Sequence, residues 1–242
     1  SQGRPCPGPR AARGRAAARC RMGPALAKCP CAGRGYKGTE VVRILSQKWR
    51  PDTASEVSAL QADLVAYFRS GTIEGLCDFA MFNPEPDHLV VFMVFRSAGS
   101  LDAYKAALRK QFLERMKPLL AGPPAFDEQG TVWRGVERAS GASGGQVYRV
   151  VSYRGEPASA EGFARAAGGA WSACVAPAKG CVRAVAMMPQ PATLSLFMVF
   201  ESQAALDLHE ASAHDELLKH LGHVLSGPPA YDLHGPGLAA FA

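Results

Sequence analysis

The strongest constraint on the fold is an internal repeat that spans most of the chain. Residues 89–130 recur as residues 194–235, at an offset of about 105 residues. The repeat preserves an apolar run, a Leu-Asp pair, a Gly-Pro-Pro-Ala turn and an acidic residue: 92–95 and 197–200, Leu101-Asp102 and Leu206-Asp207, 122–125 and 227–230, Asp127 and Asp232. Self-similarity at one fixed offset indicates a duplicated domain, and 242 residues divide into two units of ordinary domain size.

Each unit shows the pattern of strand, helix, two strands, helix and strand. In the first unit, apolar and β-branched runs predict strands at 40–49, 75–83, 89–95 and 125–136, with helices between Asp52 and Gly71 and at 101–120. In the second unit, the same signals predict strands at 146–154, 180–188, 194–200 and near Tyr231, with helices at 159–175 and 204–225. The order β-α-β-β-α-β is that of the ferredoxin-like unit, so the predicted fold class is α+β.

The third predicted strand of each unit is apolar along its whole length. Residues 89–95 read LVVFMVF and residues 194–200 read LSLFMVF, whereas a sheet with one face in water alternates apolar and polar residues. Both faces must therefore be covered, one by the helices of the same unit and the other by the sister sheet. We predict two sheets packed face to face, as a pseudo-dimer within one chain, and leave further self-association open.

Composition divides the chain into a leader at 1–38, units at 39–138 and 146–236, a Gly- and Ser-rich linker at 139–145, and a C-terminal tail at 237–242. The leader holds nine of the 27 Lys and Arg residues and no Asp or Glu. This composition is typical of an organelle transit peptide, so we expect a chloroplast protein, with the mitochondrion as the alternative. An unstructured basic tail is the competing interpretation.

Charge and hydropathy argue against several classes of partner. Without the leader, 18 basic residues face 21 acidic ones, a net charge of −3, whereas a nucleic-acid-binding surface gathers basic residues on one face. No apolar run approaches the about 20 residues of a bilayer-spanning helix. Cys20, Cys29 and Cys31 lack a second pair of ligands at a useful spacing. We therefore expect no nucleic-acid partner, no membrane span and no metal site.

The second unit shows a family resemblance. Its VFESQAALDLHEASAHDELLKHL segment and its closing LSGPPAYDLHG resemble the antibiotic biosynthesis monooxygenase (ABM) domain. The resemblance covers residues 40–235 and implies a dimeric α/β barrel made from a tandem duplication. It also implies a monooxygenase-like activity on a hydrophobic aromatic or tetrapyrrole (haem-like) small molecule. We place that site in the second unit. No cofactor is assigned, and haem would enter as a substrate.

The family's site residues are only partly present. Haem-degrading members use an Asn on the first strand, a Trp early in the second helix and a His later in that helix. In this chain the Asn position holds Ser46 and Gln47 in the first unit and Ser152 and Tyr153 in the second. The Trp position holds Tyr104 or His209, and the His position holds Arg115 or His220. Polyketide-oxidising members use an Asn, a Trp and a Tyr, where this chain has Val91, Phe95 and Leu101, or Leu196, Phe200 and Leu206. Neither set is complete. A non-catalytic binding protein and a scaffold of the same barrel fold are therefore alternatives.

Histidines provide the main catalytic candidates. Five of the six His lie in the second unit, and His209, His214 and His220 are candidates for a base or an axial ligand to haem iron. At about 100° per residue, His209 and His220 share one helix face and His214 falls on the apolar stripe. The competing interpretation makes His209 and His220 part of a solvated face and His214 a packed core residue.

Three further side chains complete the candidate list. Tyr104 offers a pocket hydroxyl, with simple packing as the alternative. Arg43 and Arg149 recur at matched first-strand positions and are candidate cofactor-binding residues for a carboxylate or propionate. Ion pairs at the rim are the alternative for both. Residues 168–170 (GGA) thin the first helix of the second unit and would leave room for a flat ligand.

Overall fold

The computed structural model describes Tyr36, residues 38–138 and residues 145–240. The strands of this part are β1 (Val41–Lys48), β2 (Leu76–Glu85), β3 (His88–Phe95), β4 (Phe126–Glu137), β5 (Val147–Arg154), β6 (Cys181–Met187), β7 (Thr193–Phe200) and β8 (Tyr231–Ala240). The α-helices are α1 (Ala54–Arg69), α2 (Ala98–Leu108), a short α3 (Glu114–Met116), α4 (Ala160–Ala170) and α5 (Gln203–Leu221). The predicted order of strands and helices in both units is therefore confirmed.

Some predictions fall where the structure gives no description. The predicted leader, apart from Tyr36 and Gly38, lies outside the described residues, and so do residues 139–144 of the linker. At the other end, β8 continues to Ala240, so most of the predicted tail belongs to a strand. None of the helices in the described ranges is long and apolar enough to cross a membrane.

The eight strands form one closed barrel. Within each unit the strand order is that of the ferredoxin-like sheet, β4-β1-β3-β2 and β8-β5-β7-β6. The two sheets are joined at both edges, because β8 pairs with β2 and β4 pairs with β6. The last strand of each unit is therefore hydrogen-bonded to strands of both units. The sheets are thus joined along their edges, in addition to the face-to-face packing that the sequence predicted.

Successive side chains of the apolar strands point alternately into the barrel and toward the helices. Both directions are buried, which explains why these strands contain so few polar residues. On β3, Phe92 and its inward neighbours belong to a core inside the barrel that contains residues of both units. Met93 and Phe95 point outward into a separate core under the first unit's helices. A third core lies under the helices of the second unit. Both faces of each sheet are thus covered, as the sequence predicted.

Equivalent residues of the two units meet each other inside the barrel. The rings of Phe92 and Phe197 stack with their centroids 3.8 Å apart and an interplanar angle of 7°. Phe126 and Tyr231 stack in the same way, at 3.8 Å and 4°. Contacts between a residue and its own equivalent are characteristic of a two-fold axis in an isologous dimer.

A reciprocal contact seals the two edges where the units join. A Cβ placed on Gly130 of β4 would lie 3.1 Å from Pro189 Cα, in the hairpin turn of the second unit. A Cβ on Gly235 of β8 would overlap the Asn83 carbonyl oxygen and lie 3.0 Å from Pro84 Cα, in the hairpin of the first unit. Glycine is required where strand backbone approaches another backbone this closely.

The helices differ from the prediction in two places. The single helix predicted at 101–120 is broken, since α2 ends at Leu108 and a π-helical turn, Arg109–Leu113, follows it. A second π-helical turn, Trp171–Val175, extends α4. Periodicity at 3.6 residues cannot signal the extra residue of a π turn, and such turns are frequent at functional sites.

Candidate functional site

A small cavity lies between the outer face of the second unit's sheet and helix α5. Its walls come from β5, β7, the π-helical turn after α4, and α5: Arg149, Val151, Tyr153, Leu196, Met198, Val175, His209, Ala213 and Leu217. The cavity volume is about 10 Å³, which is room for about one water-sized molecule. The lining therefore combines an imidazole, a phenol and a guanidinium with six apolar side chains.

Of the histidine candidates whose side chains the structure describes, His209 lines the cavity and His220 does not. Its side chain is only 7% exposed, and its ring lies 5.2 Å from the ring of Phe200. Burial, followed by the positive charge of Arg149, lowers the pKa of His209 to about 4. The imidazole is therefore neutral near pH 7 and has one N–H donor and one acceptor nitrogen.

The solvated-face interpretation is wrong for His209. On a helical wheel this residue projects about 60° from Leu206, within the width of at least about 100° that an apolar stripe covers. Leu206 and Leu217 are buried on the same side of α5. His209 thus lies at the edge of the stripe and is carried under the helix.

Tyr153 is the second polar group in the cavity. Its side chain is 2% exposed, and burial raises its pKa to about 12 although Arg149 opposes the shift. The sequence placed Ser152 and Tyr153 where haem-degrading members have Asn, but Tyr153 was not predicted as a site residue. The structure separates the two: Ser152 points into the barrel and hydrogen-bonds Ser195 at 3.0 Å. Side chains two residues apart on a strand share a face, so Tyr153 lies on the same face of β5 as Arg149. This spacing was the signal that could have identified Tyr153.

The predicted arginines are both paired with carboxylates of their own unit. Arg149 donates from Nε and Nη2 to Asp232 at 2.8 and 2.5 Å, and its Nη1 lies 3.7 Å from Glu210. Arg43 donates to Asp127 at 2.8 and 2.7 Å. The ion-pair interpretation is therefore the one observed for both. Arg149 still lines the cavity and makes its potential more positive, but Arg43 has no role there.

In the first unit, aromatic rings fill the corresponding space. Tyr104 is 4% exposed, and its ring lies 5.9 Å from Phe68 and 5.2 Å from Phe95. Phe68 in turn stacks on Phe79 at 4.9 Å. At the offset of about 105 residues, the replaced pairs are Tyr104 and His209, Phe79 and Ala184, Leu108 and Ala213, and Phe112 and Leu217. Smaller side chains at these positions leave the cavity in the second unit, and packing is what Tyr104 does in the first.

His220 lies against helix α4 and not in the cavity. Its Nδ1 would be 3.0 Å from a Cβ on Gly169, and its Nε2 is 3.8 Å from Glu216 Oε1. The space over residues 168–170, where the sequence suggested room for a flat ligand, therefore holds the His220 ring. His214 lies on α5, and its side chain is outside the described part of the chain.

Two side chains of the first unit's strands, Ser46 on β1 and His88 on β3, meet inside the barrel and were not predicted as site residues. Ser46 Oγ and His88 Nε2 are 2.5 Å apart, and Glu85 Oε2 lies 4.0 Å from His88 Nδ1. Ser46 has no exposed surface. The arrangement resembles a nucleophile with its base, but the hydroxyl is sealed inside the barrel and we assign the pair a structural role.

Comparison with solved structures identifies the class of fold. A proposed monooxygenase of Fusobacterium nucleatum subsp. nucleatum matches with a TM-score of 0.72 at 10% identity, covering 85% of this chain and 95% of its own. A proposed monooxygenase of Lactobacillus acidophilus gives 0.61 at 15% identity, covering 84% and 95%. An anthrone oxidase-like protein gives 0.60 at 13% identity, covering 84% and 92%. No protein-family model matches the chain, and no curated protein is significantly similar to it in sequence.

At these identities the likeness establishes the fold. The chain has a dimeric α/β-barrel fold, with both halves of the barrel supplied by one tandemly duplicated chain. The fold implied by the sequence resemblance is therefore confirmed.

Proposed function

We propose that the second unit is a monooxygenase-like site that binds the hydroxyl or enol group of a small aromatic molecule and stabilises its anion. The observation that carries this proposal is the convergence of His209, Tyr153 and Arg149 on one cavity. The fused pseudo-dimer supports it, because the first unit closes the barrel and leaves the second unit's outer face to the ligand.

The two neutral groups are suited to donate hydrogen bonds to an oxyanion. Near pH 7 the His209 imidazole offers one N–H, because its pKa is about 4, and the Tyr153 phenol keeps its O–H, because its pKa is about 12. Preorganised donors in a dry site stabilise developing negative charge strongly. A group with so low a pKa is a weak general base, so we assign His209 donation instead of the proton abstraction considered from the sequence.

An aromatic anion held in this way can react with dioxygen, which is the co-reactant of the proposed step. A ring CH2 group beside a keto or enol oxygen gives this anion by losing one proton to solvent as it binds. The anion carbon then adds O2, and cleavage of the O–O bond with loss of the remaining C–H leaves a carbonyl and hydroxide. The hydroxide takes up a proton to give water, so one oxygen atom enters the substrate and the other leaves as water. The anthrone oxidase-like neighbour supports this class of substrate. The protein's part is to hold the anion, supply the positive potential of Arg149 and keep bulk water out.

The cavity has to widen when a ligand enters. Its volume of about 10 Å³ is far below that of an ordinary ligand site, for which about 300–1,000 Å³ is usual. We propose that α5 moves outward, since Ala213 and Leu217 form one wall and the π-helical turn forms another. A tetrapyrrole would need a much larger opening, so we favour molecules of one to three rings.

Binding of 4-nitrophenol tests the site, because the phenolate and the phenol differ in visible absorbance. We expect the wild-type protein to lower the pKa of bound 4-nitrophenol and to increase the phenolate band at constant pH. His209→Leu and Tyr153→Phe should each reduce that increase at least about tenfold, in line with the loss of a charge-assisted hydrogen bond.

The duplicated chain supplies the matched control. Tyr104→Phe removes the phenol at the His209 position of the first unit and should leave the phenolate band unchanged. Equal effects of Tyr104→Phe and Tyr153→Phe, or no spectral change with the wild type, would contradict the proposal.

A non-catalytic binding role is the second candidate, favoured by the small cavity and the incomplete family residues. Oxygen uptake with anthrone as the probe separates the two roles. Uptake by the wild type that is lost in His209→Leu supports oxygenation. Binding of 4-nitrophenol with oxygen uptake no faster than in buffer would assign the site to binding alone.

A further inference from the structure

We infer that a buried charge pair on the approximate two-fold axis determines which half of the barrel pairs with which. Asp78 of the first unit and Arg183 of the second occupy equivalent positions, and they bind each other. This inference concerns the surface between the halves and does not depend on the proposed small-molecule site.

The positions are equivalent in backbone as well as in sequence. Asp78 is paired with Val94 of β3, and Arg183 with Val199 of β7. Each residue follows a register shift, between Leu76 and Asp78 in β2 and between Cys181 and Arg183 in β6. The same irregularity therefore precedes both residues, and the duplicated positions carry opposite charges.

The ion pair is close and buried. Arg183 Nη1 lies 2.7 and 2.8 Å from the two carboxylate oxygens of Asp78, and the exposed fractions of the two side chains are 18% and 10%. Glu137 lies 3.3 Å from Arg183 Nη2, and the Tyr36 hydroxyl donates to Asp78 at 3.4 Å. The pair thus joins residues of both units in one network.

The charges of Asp78 and Arg183 favour the pairing of a first unit with a second unit over the pairing of two identical units. The aromatic contacts near the two-fold axis do not distinguish these pairings. A first unit paired with a second copy of itself would bring Asp78 against Asp78, and two second units would bring Arg183 against Arg183. Aromatic stacking would survive either exchange, because Phe92 and Phe197 are the same residue type and Phe126 and Tyr231 are both aromatic. The first unit's inner face therefore fits the second unit, and like pairings are disfavoured.

Energetics fit a role in specificity. Burial raises the pKa of the Asp78 carboxyl even though Arg183 lowers it, so removing the pair from water offsets much of its attraction. Buried ion pairs often stabilise a fold no more than apolar residues would, whereas leaving one partner alone is strongly destabilising.

Charge reversal in the full-length chain tests the inference. Asp78→Arg creates an Arg-Arg contact and Arg183→Asp an Asp-Asp contact, so we expect each single variant to lose about 1 M or more of its urea midpoint. The double variant Asp78→Arg/Arg183→Asp restores opposite charges and should recover most of that loss. Failure of the double variant to recover any of it would overturn the inference.

Mixing the single variants gives a second, more specific readout. When the two are refolded together from urea, the first unit of each chain finds a complementary charge on the second unit of the other, so a 1:1 complex should appear by native mass spectrometry. The exposed pair Asp63 and Arg115, 2.6 Å apart, provides the control: mixed Asp63→Arg and Arg115→Asp chains should give no such complex. A mixture of the axial variants that contains no more complex than this control would contradict the inference.

Discussion

At the scale of single residues, the two copies of the unit differ by the loss of side-chain volume. Phe79 and Leu108 of the first unit correspond to Ala184 and Ala213 of the second, and Tyr104 corresponds to His209. Protein interiors are close-packed, so such replacements leave a cavity unless the surroundings collapse. Here the cavity remains, and the imidazole of buried His209 lines it.

Acidification should destabilise the protein through His209. The unfolded histidine binds a proton below its ordinary pKa of 6.5, whereas the folded one resists protonation until about 4. Stability is therefore unaffected by this residue above about pH 6.5 and falls as the pH drops to about 4, by on the order of 2 kcal/mol. Urea unfolding of wild type and His209→Gln at several pH values measures the difference.

His209→Gln should lose this part of the pH dependence. Leu208→Gln changes the neighbouring exposed residue on α5, 55% exposed, and should keep the wild-type slope. Parallel curves for wild type and His209→Gln between pH 7 and 4 would show that the histidine is not held neutral by burial.

Sequence reasoning reached part of the site at this scale. His209 was selected because five of the six histidines lie in the second unit and an imidazole can act as a base or a haem ligand, and the arginines were found because they recur at matched first-strand positions. Tyr153 was missed because its role depends on which face of β5 lies under helix α5, and the sequence did not establish that. For Tyr104 the sequence offered packing as the alternative to a pocket hydroxyl, but it did not name the packing partners, because Phe68 and Phe95 approach Tyr104 only in the folded unit.

At the scale of secondary-structure elements, β4 and β8 are the strands that join the units. Each begins beside the first strand of its own unit and ends on the second strand of the other. Their glycines permit the crossing, since Gly130 lies against the turn between β6 and β7 and Gly235 lies against the last residues of β2. The repeat preserves both glycines at the same offset, which is expected if both crossings meet the same steric limit.

Gly235→Ala should therefore be strongly destabilising. Its Cβ would overlap the backbone oxygen of Asn83, and backbone cannot move aside as a side-chain tip can, so we expect a loss of about 2–4 kcal/mol in the free energy of unfolding. Gly227→Ala is the matched control, because a Cβ there has no atom within 4 Å. Urea unfolding of both variants provides the measurement, and equal stability would mean that the crossing of β8 is not sterically limited.

At the scale of the whole molecule, duplication has been followed by divergence between the copies. The sequence alone predicted the two units, the order of their elements and the burial of both sheet faces, because periodicity and apolar runs are local signals. It did not predict that β2 meets β8 and β4 meets β6, since strand pairing between distant segments leaves no local mark. Among the described residues, aromatic rings pack around Tyr104 in the first unit, whereas the second unit keeps a cavity beside His209.

A crystal structure of the full-length protein soaked with 4-nitrophenol tests most directly whether the second unit holds the ligand site. The phenol oxygen should lie within hydrogen-bonding distance of His209 and Tyr153, with α5 displaced outward and with no ligand at Tyr104 in the first unit. A ligand in the first unit, or a second unit that stays closed and empty at saturating 4-nitrophenol, would contradict this assignment.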